Sequence, residues 1–283
     1  MNAGGTAVVE AVRVGARETA PANTLEPSDR GDGDPVTSVA KALRLLDAFR
    51  QGGGRVGVTE LARRASLPKS TAFRLLAHLE RSGYVERVGT DYRLGWRLFE
   101  LGNQVQVCAP HGLRQIATPY LSEVYASTGH VTQLAVLDGV DVVYLEKIHG
   151  RRAVRTPTAV GTRMPAACVA LGKAILAFSE PGVVRVVLDA GLERRTPYSF
   201  AEPGQFAREL HRIRTNGIAL DREEAALGLA CVAAPILVGG RPIAAISVSM
   251  PATRFDAGAV AARVRQAAKQ IADEYVAQAA SRR

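Results

Sequence analysis

Residues 57–94, GVTELARRASLPKSTAFRLLAHLERSGYVERVGTDYRL, decide how this 283-residue chain is read. They hold a short helix, a tight turn, a longer helix with one basic side, and a hairpin. In that order the parts make a winged helix-turn-helix, which lays its second helix in the DNA major groove. Thr59 suits the N-cap of the first helix, with Glu60 in the first turn, where the positive helix end favours an acid. Leu61, Ala62 and Ala65 form its apolar face. Ser66-Leu67-Pro68 makes the turn, and Pro68 cannot continue one helix but suits the opening of the next. The second helix, residues 69–82, places Ala72, Phe73, Leu76 and Leu79 on one side and Thr71, Arg74, His78 and Arg81 on the other. Gly83 ends it in a left-handed conformation. Residues 85–88, the Gly89-Thr90 turn and residues 91–94 alternate as a two-stranded wing.

A basic helix face by itself is more often a solvated surface. Here the turn, the helix order, the small Ala65 and the hairpin agree, and that agreement singles out DNA as the partner. Lys69, Ser70 and Thr71 stand where short hydroxyls and N–H groups meet phosphates or base edges. Arg74 suits a bidentate guanine contact, with His78 further along the helix. Arg87 on the wing and Thr59 on the first helix complete the expected DNA-binding set. Charge agrees with this placement. Residues 36–98 carry a net +7 of the chain's +9, residues 1–35 carry −3, and the remainder is diffusely basic at +5. Neutralising phosphates requires such an excess on the smallest folded segment.

Hydrophobic residues make up 47% of the chain, enough for two packed cores. No apolar run reaches the ~18–20 residues that span a bilayer. The N-terminus lacks the basic-then-apolar order of a signal peptide, so no membrane and a cytoplasmic setting are expected. Cys108, Cys168 and Cys231 are odd in number and far apart, which argues against a disulfide framework or a structural zinc.

Residues 1–35, rich in Gly, Ala, Pro and acids, read as a disordered tail. Residues 36–95 form the DNA-binding domain, whose first helix starts at a Ser38 cap. Its apolar stripe runs Val39, Leu43, Leu46, Phe49, and Gly52-Gly53-Gly54 stops it. Trp96, Phe99, Leu101, Val105 and Val107 predict a linker helix over residues 96–110, too apolar to stand alone in water. Residues 111–283 then read as α+β. Helices are expected at 111–127, 165–178, 182–190, 205–215 and 256–280. Strands are expected at 131–137 and 140–148 about Asp138-Gly139, and at 231–237 and 243–250 about Gly239-Gly240. Hairpin-paired strands with helices between the pairs argue for an antiparallel sheet.

The stretch TELARRASLPKSTAFRLLAHLERSGYVE, then YRLGWRLFELG, resembles the IclR family of bacterial transcriptional regulators. GTRMPAACVALGKAILA from Gly161 and GIALDREEAALGLACVAAPI from Gly217 resemble two signature stretches of that family's C-terminal domain. The likeness runs from about residue 36 to 280. It implies a winged helix-turn-helix, a linker helix and a GAF-like α+β effector-binding domain, assembled as a homodimer or a dimer of dimers. Its implied effectors are small organic acids or aromatic catabolites, with repression relieved by ligand as the commoner behaviour. The implied pocket includes Ala170 and Leu171, Asp221, Leu229 and Cys231, and Ser247 and Ser249, with Ala153 and Thr156 on the near wall. Ser247 and Ser249, two apart on a strand, face one side, and Cys231 on the preceding strand can lie beside them. Hydroxyls and backbone N–H groups can hold a carboxylate. An isolated buried Asp221 would oppose an anion, so it accepts a ligand hydroxyl or water, or is partly protonated. Read without the family, these are also ordinary small residues of a sheet face.

No catalytic constellation stands out. Gly172-Lys173 is followed by Ala174, and position 167 is Ala, so a phosphate loop fails at two points. His111, His130 and His149 lie in unlike contexts with no metal-ligand spacing, and Glu223-Glu224 and Asp273-Glu274 read as solvated pairs. Cys231 has no histidine at informative spacing. No catalytic residue, metal or cofactor is expected. Three readings remain: a ligand-responsive repressor of a catabolic operon, a constitutive DNA-binding regulator whose C-terminal domain only oligomerises, and an enzyme carrying a DNA-binding domain.

Overall fold

A computed structural model describes residues 37–51, 54–105, 107, 108, 112–150 and 154–281. The expected tail, residues 1–35, lies outside them. The chain divides between residues 110 and 111 into two compact units.

In the first unit, helix α1 (Ser38–Asp47) is capped by Thr37, not Ser38, because the Thr37 hydroxyl accepts the Ala40 N–H at 3.2 Å. A 3-10 turn, Ala48–Gln51, follows. Helices α2 (Val58–Arg64) and α3 (Lys69–Arg81) form the helix-turn-helix. Strands β1 (Val56–Gly57), β2 (Val85–Val88) and β3 (Asp91–Leu94) make an antiparallel sheet of order β1-β3-β2. Thr59 does not cap α2. Gly57 precedes the helix, and its pairing with Asp91 on β3 leads the chain from strand straight into helix. Thr59 is exposed in the first turn. Glu60 accepts hydrogen bonds from Arg63 and Arg64, which hold its carboxyl down at about 2.

Leu45, Phe49, Leu61, Leu76, Val85 and Tyr92 fill this unit's core. Three apolar residues placed on apolar helix faces by pattern lie outside it. Phe73 is 50% exposed, and the buried stripe of α3 is Ala72, Leu75 and Leu76. The helical period explains this, since position 73 lies about 100° round from 72 whereas 75 and 76 return to its side. On α1 the same shift buries Leu45 and exposes Val39 and Leu43. Gly83 takes a φ of +75° as expected, and the Tyr84 N–H reaches back to the Leu79 carbonyl. Gly95 lies so close to Gly83 that a Cβ there would collide with the Gly83 carbonyl.

Helix α4 (Trp96–Gly102) is shorter than the expected linker helix. It ends where Gly102 lowers helix propensity and the Asn103 amide donates to the Phe99 carbonyl. Residues 106 and 109–111 lie outside the described residues. Trp96, 70% exposed, stacks edge-to-face on Phe99 at 6.2 Å.

The second unit is a six-stranded antiparallel sheet of order β6-β5-β4-β9-β8-β7. Its strands are β4 (Val131–Asp138), β5 (Asp141–Ile148), β6 (Arg163–Pro165), β7 (Ala219–Arg222), β8 (Leu229–Val238) and β9 (Arg241–Pro251). Helices α5 (Leu113–Thr128) and α9 (Ala257–Ala280) cover one face. Helix α6 (Ala170–Leu176) covers the other and packs on α8 (Pro203–Asn216), while α7 (Pro181–Asp189) contributes Val187 to the same core. Helices on both faces explain why the first eight residues of β8 and the first six of β4 are all buried.

The helix expected over residues 165–178 is narrower. Pro165 ends the edge strand β6, where a missing N–H is tolerated, and a 3-10 turn, Ala166–Cys168, precedes α6. Gly172 presses on that turn, and a Cβ there would strike the Ala166 backbone. The glycine of ALGKA is therefore a packing residue. Edge strand β7 had no pattern of its own, being only four residues long.

Candidate functional site

Helix α3 presents Lys69, Ser70, Arg74 and His78 to solvent, with Thr71 half-buried at the edge of the same side. Lys69 and Arg74 have no hydrogen-bond or ion-pair partner among the described residues, so both cations are free to meet an outside group. Arg81 donates to Nδ1 of His78 at 2.7 Å, which requires that nitrogen to be unprotonated. On the wing, Arg87 is exposed and donates to the Gly89 carbonyl at 3.1 Å. Across the same hairpin Arg93 pairs with Glu86, one of the few acids near the basic face.

Seven of the nine expected effector residues meet around one cavity of the second unit. Thr156, Ala170, Leu171, Asp221, Leu229, Cys231 and Ser247 line it. Ala153 lies outside the described residues, and Ser249 is not on the lining. A neighbouring side chain, not the register, accounts for Ser249. Ser249 pairs with Val131 and Cys231, one step further along the sheet than Ser247, which pairs with Gln133 and Ala233. The Gln133 amide takes the lining position and binds Ser249 behind it.

A chain of hydrogen bonds results. The Cys231 thiol and the Ser249 hydroxyl are 3.1 Å apart, Ser249 donates to Oε1 of Gln133 at 3.1 Å, and Nε2 of Gln133 donates to Thr158 at 2.6 Å. The Thr158 hydroxyl in turn donates to Thr156 at 3.3 Å. Every member is paired, so these groups form an ordered polar wall. Burial pushes the Cys231 thiol and the Tyr144 phenol above their usual ranges, so both stay protonated. Neither is a nucleophile in this setting.

Asp221 is not isolated, and Glu224 is not solvated. Both are buried. Glu224 pairs with Lys173, whose side chain is 0% exposed, and the Glu224 N–H donates to Oδ1 of Asp221 at 2.8 Å. The Lys173 ammonium also lies over the Phe200 ring, 4.9 Å from its centroid. Thr196 and Ser199 accept the loop by donating to the Glu223 and Glu224 carbonyls, at 2.7 Å each. Burial, then the Glu224 charge, pushes the Asp221 carboxyl up to about 7, against the opposing pull of Lys173. Asp221 therefore titrates near neutrality at the edge of the cavity. The space itself is small, about 20 Å³ of room for the centre of a water molecule, which suits one water.

Residues 38–89 match the family model described as IclR helix-turn-helix domain, and residues 105–273 match the one described as Bacterial transcriptional regulator IclR C-terminal. The chain belongs to the IclR family. Among curated IclR-family relatives, the HTH-type transcriptional regulator XynR of Escherichia coli (strain K12) is 34% identical over 225 residues, covering 78% of this chain and 88% of XynR. The transcriptional repressor IclR of the same organism is 32% identical over 249 residues, covering 85% of this chain and 90% of the repressor. Among solved structures, an IclR homolog from Microbacterium hydrocarbonoxydans complexed with 4-hydroxybenzoate superposes with a TM-score of 0.78 at 29% identity, covering 85% of this chain and all of the other. This chain is thus a member of a family of DNA-binding transcriptional regulators, several of them named as repressors.

In this IclR-family chain, sequence reading missed Gln133, Tyr144, Thr158, Met164, Val169 and Ala225 on the cavity wall, and the Lys173–Glu224 pair beneath it. Two of these left a signal. Gln133 is a lone amide in the apolar run VTQLAV, and Lys173 a lone cation in ALGKAIL. Buried polar residues in apolar runs require partners.

Proposed function

We propose that this chain is a repressor of a catabolic operon, released by a small organic acid or aromatic metabolite that enters the cavity beside Asp221. The observation that carries the reading is a cavity walled by paired hydroxyl and amide groups, in a chain whose other unit is a winged helix-turn-helix. The structural relative holding 4-hydroxybenzoate supports an aromatic acid as the first probe. As it stands the cavity accommodates one water, so effector entry displaces the irregular wall at residues 156–158 or the start of α6. Movement of α6 would strain the Lys173–Glu224 pair, which ties that helix to the loop after Asp221.

On the DNA side, Lys69, Ser70, Thr71, Arg74 and His78 of α3 form the reading face, with Arg87 on the wing and Thr59 on α2 meeting the backbone. The protein works in the cytoplasm as a homodimer or a dimer of dimers. The exposed Trp96, Phe99 and Leu101 of α4, with Val39 and Leu43 of α1, offer the apolar surface for a symmetric contact. Sedimentation at micromolar concentration tests this, and a stable monomer with and without DNA would overturn it.

Fluorescence anisotropy on the duplex upstream of the protein's own gene, at fixed salt, tests the regulatory reading. Operator affinity is expected to fall when 4-hydroxybenzoate or a related acid is added. An affinity unchanged by every acid and aromatic compound tried would favour a constitutive DNA-binding regulator instead.

A further inference from the structure

Phe73 is half exposed on α3, on the side that carries Ser70 and Arg74 and away from the buried stripe of Ala72, Leu75 and Leu76. A single exposed phenylalanine is unremarkable on most helices. This one follows the helix-turn-helix turn by one helical turn and stands next to Arg74 and four residues from Lys69, two cations without partners among the described residues. Its neighbours are groups that bind phosphates and base edges by charge and hydrogen bonding. An aromatic side chain among them has one apolar partner in a major groove, the C5-methyl group of thymine. A second copy of this chain is a poor alternative partner. A two-fold contact through this face would set Lys69, Arg74 and Arg81 of one protomer against the same cations of the other.

We propose that Phe73 reads the C5-methyl of a thymine in the operator, as a specificity-determining residue beside Arg74. The two side chains then divide the work, with Arg74 reading hydrogen-bond acceptors and Phe73 reading a methyl group on a neighbouring base. This inference is independent of what occupies the cavity of the second unit. It requires only that α3 lies in the groove.

The test replaces one methyl group at a time. A binding site is selected from a random duplex library with the full chain, then remade with uracil in place of thymine at single positions. Uracil keeps every hydrogen-bonding group and lacks only the methyl. At one position in each half-site, wild-type affinity is expected to fall about fourfold, the worth of one buried methyl group. Phe73→Ala is expected to bind the thymine and uracil duplexes equally, and Phe73→Leu to show a smaller ratio than wild type. Equal wild-type affinity for thymine and uracil at every position would overturn the proposal. So would a thymine-to-uracil ratio that stays at the wild-type value in both variants. Sedimentation of Phe73→Ala provides a separate check. Loss of self-association with the ratio intact would assign Phe73 to a contact between copies and overturn the DNA reading. If neither Phe73→Ala nor Arg74→Ala changes the selected site, α3 is not in the groove and the proposal fails with that placement.

Discussion

Lys173 and Glu224 form an ion pair inside the sheet-bearing unit, with the lysine wholly removed from solvent. They are 51 residues apart, one on α6 and the other in the loop that follows Asp221. A buried pair gives little net stability over an apolar equivalent, but losing one partner strands the other charge. Lys173→Met should therefore cost about 3–5 kcal/mol in urea unfolding, and Lys173→Met/Glu224→Gln should recover much of it. A double variant no more stable than the single one would mean that the two groups are not coupled.

Asp221 gives a pH dependence of known sign. Its carboxyl rises from an ordinary 3.8 to about 7 on folding, chiefly through burial. The folded state therefore holds the proton more tightly. Stability from this group is full below pH 4 and is lost as pH rises toward and through 7, by up to roughly 4 kcal/mol at 1.36 kcal/mol per pH unit. Asp221→Asn keeps an acceptor for the Glu224 N–H and removes the titration. Its melting temperature relative to wild type should climb between pH 5 and pH 8 and level off above. A difference constant over that range would show that Asp221 does not titrate there.

The helix-turn-helix was legible because its signals are local. Turn, spacing and hairpin lie within 38 residues, and backbone chemistry dictates each of them. What failed there was the choice between neighbouring apolar residues. The helical period sets Leu75, not Phe73, beside Ala72 and Leu76, and that side is the one packed with Leu45 and Val85. The cavity was legible by resemblance at seven positions, whereas Ser249 and Glu224 were misplaced for a non-local reason. The run DREE looks solvated, and nothing within it points to a lysine on another helix. Ser249 and Ser247 share a face, but which one reaches the cavity depends on where the Gln133 side chain lies across the sheet. Gly95 shows the same limit, since it owes its identity to the backbone of Gly83 on the far side of the hairpin.

Arg74 and Arg87 should separate by kind of effect. Arg74→Ala removes a group placed to read guanine, so it should cost ~1–3 kcal/mol on the selected operator and relax preference at one base pair. Arg87 already bonds the Gly89 carbonyl and sits on the wing. Arg87→Ala should weaken all sequences alike and lower the salt-dependence slope by about 1. Titrations at three salt concentrations on selected and scrambled duplexes distinguish the two. Equal losses on both duplexes in Arg74→Ala would remove it from the reading face.

Ser247 and Ser249 offer the sharpest test of the cavity, because they are two residues apart on β9 and differ only in what lies in front of them. Ser247 borders open space, and Ser249 is closed in by Cys231 and Gln133. Ser247→Val adds a branched side chain suited to a strand and directs it into the cavity. It should leave the melting temperature and operator affinity near wild type while abolishing the response to any acid that acts through the cavity. Ser249→Leu has no space to enter. It also leaves Oε1 of Gln133 without its donor, so it should lose ~1–3 kcal/mol of stability through overpacking, with or without ligand. Thermal melts of both variants, each with and without 4-hydroxybenzoate, read the two outcomes together. A ligand-induced shift that survives in Ser247→Val would place the effector elsewhere. A Ser249→Leu protein as stable as wild type would show that the hydrogen-bonded wall is looser than the paired distances indicate.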